Sequence, residues 1–525
     1  MTLKKKISLL MVLSFSILLP KGVMGQDIPE QKVEKQQITE QTPNQPISDQ
    51  KITNAVKKEL LLHSDVPSYL IDITTVDGVV NLSGSINNIL ARERAEEIAM
   101  AVKGVKGVLN QLEINAPEIP DEKLEVNITK ALANDPATES YEISVQVKDG
   151  IAMLSGEVDS WQEKELAAYV VKGVRGVKGL RNEVGISYNE ARSDKEIKNE
   201  IIGILNYDIR VDNALVDVEV DNGHVKLSGT VGSLSEKKQA EVDAWVIGVK
   251  SVSSENLAVK FWARQDHLRY DTDMSDQEIK EAIHDVYLYD PRVNNQKINV
   301  EVENGIVTLT GQVDNLKSKN AARKDAKNVV NVLSVKNLID VRPTIIPNDE
   351  GLKADIVNAM ARDPYIERFD INTRVDNGKV FLYGEVNSFF EKYHTEEVVS
   401  KVNGVVKIDN NLNVNNEFAK RGTRSYEYYG WNTVYPSLFT LYDEGNVNKS
   451  DWEIKKDIES QLWWSPFVNR DEINIKVENA VVTLSGMVDT YEEKSAASQN
   501  AYEGGAIDVK NNLVVEEDPY MEKNE

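Results

Sequence analysis

ENGIVTLTGQV, residues 303–313, carries the signal that decides the fold. Asn304-Gly305 is a pair that tolerates positive φ at both central positions of a two-residue type I′ hairpin turn. Apolar residues alternate on either side: Ile298, Val300 and Val302 before the turn, Val307, Leu309 and Val313 after it. That period of two marks half-buried strands. The pattern returns as VDGVVNLSGSI (76–86), KDGIAMLSGEV (148–158), DNGHVKLSGTV (221–231), DNGKVFLYGEV (376–386) and ENAVVTLSGMV (478–488). One glycine is common to all six copies: Gly84, Gly156, Gly229, Gly311, Gly384 and Gly486. Glycine inside a strand points to a close approach, here expected from the helix that follows. The sixth copy has Asn479-Ala480 at the turn, which is therefore expected to be strained or of another type.

Upstream of each hairpin, apolar residues recur four apart on one helix face, as in Ile197/Ile201/Leu205 and Ile279/Ile283/Tyr287. Ser193/Glu196, Ser275/Glu278 and Ser450/Glu453 read as capping boxes at helix starts. Pro67, Pro136, Pro291, Pro364 and Pro466 mark the helix ends. Downstream, a second amphipathic helix ends near Gly104, Gly173, Gly248, Gly404 and Gly505, with Asn331 in the fourth copy. A last strand follows, marked by Asn256-Leu257, Asn337-Leu338, Asn411-Leu412 and Asn512-Leu513. The fold class is therefore α+β: six tandem αββαβ modules, each a three-stranded sheet covered by two helices. They fall at 48–116, 120–188, 193–259, 275–342, 348–414 and 450–516, with a linker at 260–274, an insertion at 415–449 and a tail at 517–525. Modules this small have marginal cores alone, and the sequence leaves open whether neighbouring copies pack together or stay as separate beads.

Acidic residues outnumber basic ones, 85 to 61, for a formal charge of −24. Such a surface repels other polyanions at long range, so no nucleic-acid partner is expected. There is no cysteine, which excludes disulfides, thiol catalysis and cysteine-ligated metal. Lys4, Lys5 and Lys6, the apolar run 7–19 and the small residue Gly25 read as a signal peptide over 1–25. The mature protein is thus expected in the periplasm, or alternatively secreted or at the cell surface. Residues 26–47, rich in Gln, Glu, Pro and Lys and without aromatics, read as a disordered tether.

The DG/NG turn, the V-x-L-x-G-x-V strand and the G-V…N-L-x-V ending together resemble the BON (bacterial OsmY and nodulation) domain, over residues 48–515 apart from the two insertions. The resemblance implies a non-catalytic protein that binds at the cell envelope, at phospholipid surfaces, and protects against osmotic or envelope stress. It also implies chaperone-like handling of unfolded clients. Two alternatives stay open: a multi-module structural or interaction scaffold in the envelope, and an ion-binding sensor, since potassium binding is known elsewhere in this domain family.

No enzyme chemistry, cofactor or metal is expected. His63, His224, His267, His284 and His394 occupy non-equivalent repeat positions and form no H-x-x-x-H pair. Residues 271–276 begin like a calcium loop, but Asp276 stands where the loop needs glycine and Ala282 where it needs glutamate. The repeated turn pairs interchange Asp and Asn, which turn chemistry explains and a catalytic acid would not tolerate. The departures from the repeat are aromatic. The linker holds Phe261, Trp262, His267 and Tyr270, and the 415–449 insertion holds Phe418, Tyr426, Tyr428, Tyr429, Trp431, Tyr435, Phe439 and Tyr442, in a chain that is 7% aromatic overall. Tyr426 to Tyr442 in that series are the candidate partner-contact residues, because Tyr and Trp are favoured interface anchors. The alternative is a strap packed over the last two modules. The partner expected is a phospholipid surface or an unfolded or envelope protein.

Overall fold

The computed structural model describes residues 47–63, 65–138, 141–188, 192–260, 263, 274–344, 347–366, 370–414, 450–464, 473–488, 491–506 and 508–515. The expected signal peptide, nearly all of the tether and linker, the 415–449 insertion and the tail lie outside them. Among the described residues are twelve α-helices, two per module, and six mixed sheets. Module 4 shows the plan. Helix Asp276–Tyr289 leads into strands Ile298–Glu303 and Ile306–Val313, then helix Leu316–Lys327 and strand Ser334–Asn337. The first two strands pair antiparallel, and the last lies parallel to the second, which is central. A parallel neighbour needs a crossover, and the second helix is that crossover. In modules 2 and 4 the last strand is broken, resuming at Gly185–Ile186 and Asp340–Val341.

The helical stripe read from the sequence is the buried one. Ile279, Ile283 and Tyr287 pack on Val300, Val307, Leu309 and Val313. Tyr287 is 1% exposed, and its hydroxyl donates to the Ala322 carbonyl at 2.8 Å, so its one polar atom is satisfied in the core. All three capping boxes form: Ser193 with Glu196, Ser275 with Glu278 and Ser450 with Glu453.

All six hairpin turns have positive φ at both central residues, for example 49° at Asn304 and 69° at Gly305. The sixth is the same turn, with Asn479 at 52° and Ala480 at 59°. It is therefore the strained alternative that applies, since an alanine there crowds its own backbone. The repeat glycine is needed for another reason than the one expected. Gly311 has φ of 119°, and a Cβ there would lie 2.2 Å from the Lys297 carbonyl oxygen. Gly84, Gly156, Gly229 and Gly384 meet the carbonyls of Leu70, Glu142, Leu215 and Asp370 in the same way. The crowding comes from the backbone entering the first strand, across the hairpin, and not from the following helix. In module 2 the positive-φ residue after the second helix is Gly176, at 98°, rather than Gly173; Asn331 takes that role at 62° in module 4.

The modules pack on one another inside a single compact unit. Modules 3 and 4 face each other reciprocally. Val330 N–H donates to the Tyr207 carbonyl at 2.9 Å and Ile209 N–H to that of Asn328 at 3.0 Å. The two tyrosines that end the first helices also cross over, Tyr207 to Asp285 and Tyr289 to Glu200. Modules 2 and 5 use the equivalent loops: Arg175 N–H donates to the Arg362 carbonyl at 2.6 Å. The Arg175 guanidinium reaches the carbonyls of Asp363 and Ile366 at 3.0 Å. Modules 1 and 6 meet through Lys58 and Asp457 at 3.0 Å. Polar contacts thus tie 3 with 4, 2 with 5 and 1 with 6. The second helices also join module 1 to module 3, where Leu234 packs on the core of module 1, and module 4 to module 5, where Leu316 packs on the core of module 5. Further joints include the stacked rings of Trp161 and Trp245 between modules 2 and 3 and the Lys172–Glu93 pair, 2.7 Å, between modules 2 and 1.

Candidate functional site

Each hairpin turn is held by an aspartate that sequence reasoning missed. The first residue of the first helix, Asp276 in module 4, accepts from both turn amides, Asn304 N–H at 2.8 Å and Gly305 N–H at 2.9 Å. Asp49, Asp121, Asp194, Asp349 and Asp451 make the same two bonds in their own modules. Two successive residues with positive φ aim their N–H groups at one point, a concavity that suits an anion. Here the chain fills it with its own carboxylate. The signal was available: an aspartate stands 28 residues before the first turn residue in every copy. A second recurring tie joins the last strand to the second helix. Asn337 Nδ2 donates to the Lys319 carbonyl at 2.8 Å, and its Oδ1 accepts from Ile339 N–H. In modules 5 and 6 this residue is Asn410 or Asn511, one before the Asn411 and Asn512 singled out from sequence.

Charge is buried where modules meet. Lys317 of module 4 bonds both oxygens of Asp135 in module 2, at 2.5 and 2.7 Å, with each side chain under a tenth exposed. Burial pulls the Lys317 pKa down, and Asp135 only partly offsets it. Asp243 packs beside Asp208 and Arg210, and Asp325 beside Asp290 and Arg292. Burial and the neighbouring carboxylate raise both Asp243 and Asp325 well above the usual range. Two carboxylates so close cannot both ionise cheaply.

The histidines are dispersed. His63 is buried, and desolvation with the Arg94 charge lowers it to about 3. His394 bonds Asp363 at 2.8 Å. His224 contacts Ser251 on the surface, and burial lowers His284. His267 lies outside the described residues. No group of three or more His, Asp or Glu side chains with metal-holding geometry occurs among the described residues.

The candidate contact residues Tyr426, Tyr428, Tyr429, Trp431, Tyr435, Phe439 and Tyr442 lie outside the described residues. Their insertion leaves from Val414, at the end of a strand in module 5, and returns at Ser450, the cap of helix Asp451–Trp464. Beside that return, Trp452 is 67% exposed, with the Lys456 ammonium 5.0 Å above its ring.

Fold and site together define a class: a tandem array of small αββαβ modules packed on one another. The BON domain profile matches residues 48–116, 120–187, 193–260, 275–343, 348–416 and 450–517, well over half of the chain. This chain belongs to the BON domain family. It is similar to osmotically-inducible protein Y of Escherichia coli, 32% identical over 145 residues, 26% of this chain and 72% of that protein. It is also similar to the outer membrane lipoprotein DolP of Haemophilus influenzae, 29% identical over 142 residues, 26% of this chain and 73% of that protein. A solved chain of CdsD, a structural protein of the type III secretion system of Chlamydia trachomatis, is 20% identical and covers 41% of this chain and 99% of its own. Its TM-score of 0.12 is too low to carry structural weight. No described helix is long and apolar enough to cross a membrane.

Proposed function

We propose that this chain is a non-catalytic, exported envelope protein that protects the cell under osmotic or envelope stress by binding phospholipid surfaces or unfolded envelope proteins. The observation that carries the reading is the similarity along 72% of an osmotically-inducible protein. The likeness to an outer membrane lipoprotein supports the compartment. The reading fits a chain whose recurring polar side chains are spent on turns and joints rather than aimed into a cleft. A long spacer scaffold is less well supported, because the modules close on each other within one compact unit where a spacer would hold them apart.

Vesicle flotation beside suppression of client aggregation tests this. The full-length protein is expected to float with anionic or zwitterionic vesicles, or to keep a heat-denatured client in solution at near-stoichiometric amounts. Doing neither, while forming a stable complex with one folded envelope protein, would replace this reading with the scaffold.

A further inference from the structure

A cavity of about 100 Å³ opens where modules 2 and 5 meet, with Leu90 of module 1 at its rim. Much of its wall is apolar, with Ala131, Val170, Ala359, Val398 and Val402 beside Leu90. Three cationic or basic groups also line it, and two are satisfied. Lys401 bonds Glu397 at 2.7 Å and lies over the Tyr169 ring. His394 bonds Asp363 at 2.8 Å. Arg362 is different. Its carbonyl serves Arg175, but its guanidinium makes no hydrogen bond or ion pair among the described residues, although the side chain is half-buried. Burial depresses its pKa, and the exposed Asp355 only partly offsets that. Arg175, at the same joint, places its guanidinium on carbonyls, so the joint can satisfy an arginine and leaves Arg362 bare. A half-buried guanidinium with no hydrogen-bonding partner in the protein keeps its donors available to a ligand.

We propose that this cavity binds a small monovalent carboxylate bearing a short apolar group, its two oxygens forked on Arg362 and its apolar part against Leu90, Val398 and Val402. The guanidinium fork matches a carboxylate's two oxygens. Asp355 and Asp363 in the wall disfavour a second negative charge, which selects against phosphate. The volume suits a short branched or single-ring acid and excludes a long acyl chain. Three modules contribute to the wall, so the ligand binds only the packed assembly and stabilises it by mass action. The site is independent of the lipid or client reading above.

Calorimetry and thermal melting of the full-length protein with isobutyrate, benzoate, acetate and inorganic phosphate test it. Isobutyrate or benzoate is expected to bind at least tenfold more tightly than acetate and to raise the melting temperature, while phosphate does neither. Arg362→Gln should fold as well as the parent, since the guanidinium holds nothing in the protein, and should weaken binding at least tenfold. Ala359→Leu, which fills the cavity, should do the same. No response to any of the four anions, equal binding of phosphate, or unchanged affinity in Arg362→Gln would overturn the proposal. Vesicle and client binding by Arg362→Gln should match the parent, which separates this site from the proposed function.

Discussion

Replacing Asp276 tests the aspartate clamp at the turn of module 4. The carboxylate accepts two backbone amides at 2.8 and 2.9 Å, one part-buried and one exposed. A hydrogen bond to a charged acceptor contributes roughly 1.5–3 kcal/mol when well shielded. With one amide in water, about 1–3 kcal/mol for the pair is a sensible range. The neighbouring Ser275–Glu278 capping box stays intact, so the helix start is still satisfied and the loss falls on the turn. Asp276→Ala removes both acceptors, and Asp276→Asn keeps one. Hydrogen exchange read on the peptide spanning residues 298–313 isolates this module from the other five. Opening there should accelerate roughly five- to a hundredfold in Asp276→Ala, from about 1.4 kcal/mol per factor of ten, and by an intermediate factor in Asp276→Asn. Unchanged exchange of the Asn304 and Gly305 amides in Asp276→Ala would refute the claim that the carboxylate holds the turn.

Ala480→Gly should stabilise module 6 by about 1 kcal/mol, because it removes a side chain from a φ of 59°; a lower denaturation midpoint would contradict this. Lys317→Met should cost about 3–5 kcal/mol, since it leaves Asp135 buried without its partner. The double variant Lys317→Met, Asp135→Asn should recover most of that in chemical denaturation, and failure to recover would show that the joint is not limited by unpaired charge. His63, facing Asp65 and Arg94, is held neutral with its pKa lowered from 6.5 to about 3. The unfolded chain binds the proton first, so this contribution is complete above pH 6.5 and is lost as pH falls from there toward 3. His63→Gln should flatten the slope of stability against pH in that window, and identical slopes would contradict the assignment.

The module was legible because each of its elements leaves a periodic mark. The Asn304-Gly305 turn, the alternating Val307 and Leu309, and the Ile279/Ile283/Tyr287 stripe each specify local geometry without help from distant residues. What escaped was contact between separated parts. Asp276 reads from sequence only as the residue that breaks a calcium-loop pattern by standing where glycine is needed, because its partners Asn304 and Gly305 lie far along the chain. Gly311 was recognised as a close-approach residue, but the neighbour was assigned to the helix when it is the Lys297 carbonyl. Joints such as those of Arg175 and Lys317 rest on residues not repeated at the same place in the other copies, and even the equivalent Tyr207 and Tyr289 gave no sign from sequence that they cross between modules. The aromatic insertion stood out by composition, yet composition does not separate a buried strap from an exposed anchor.

The packing of the modules on one another is most directly tested by zero-length carbodiimide cross-linking read by mass spectrometry. The full-length protein at low concentration should yield intramolecular links between Lys58 and Asp457 and between Lys172 and Glu93. Their charged atoms lie 3.0 and 2.7 Å apart, and all four side chains are partly accessible to reagent. Links confined within single modules, such as Lys401–Glu397, with neither inter-module pair recovered, would show independent beads and contradict the account.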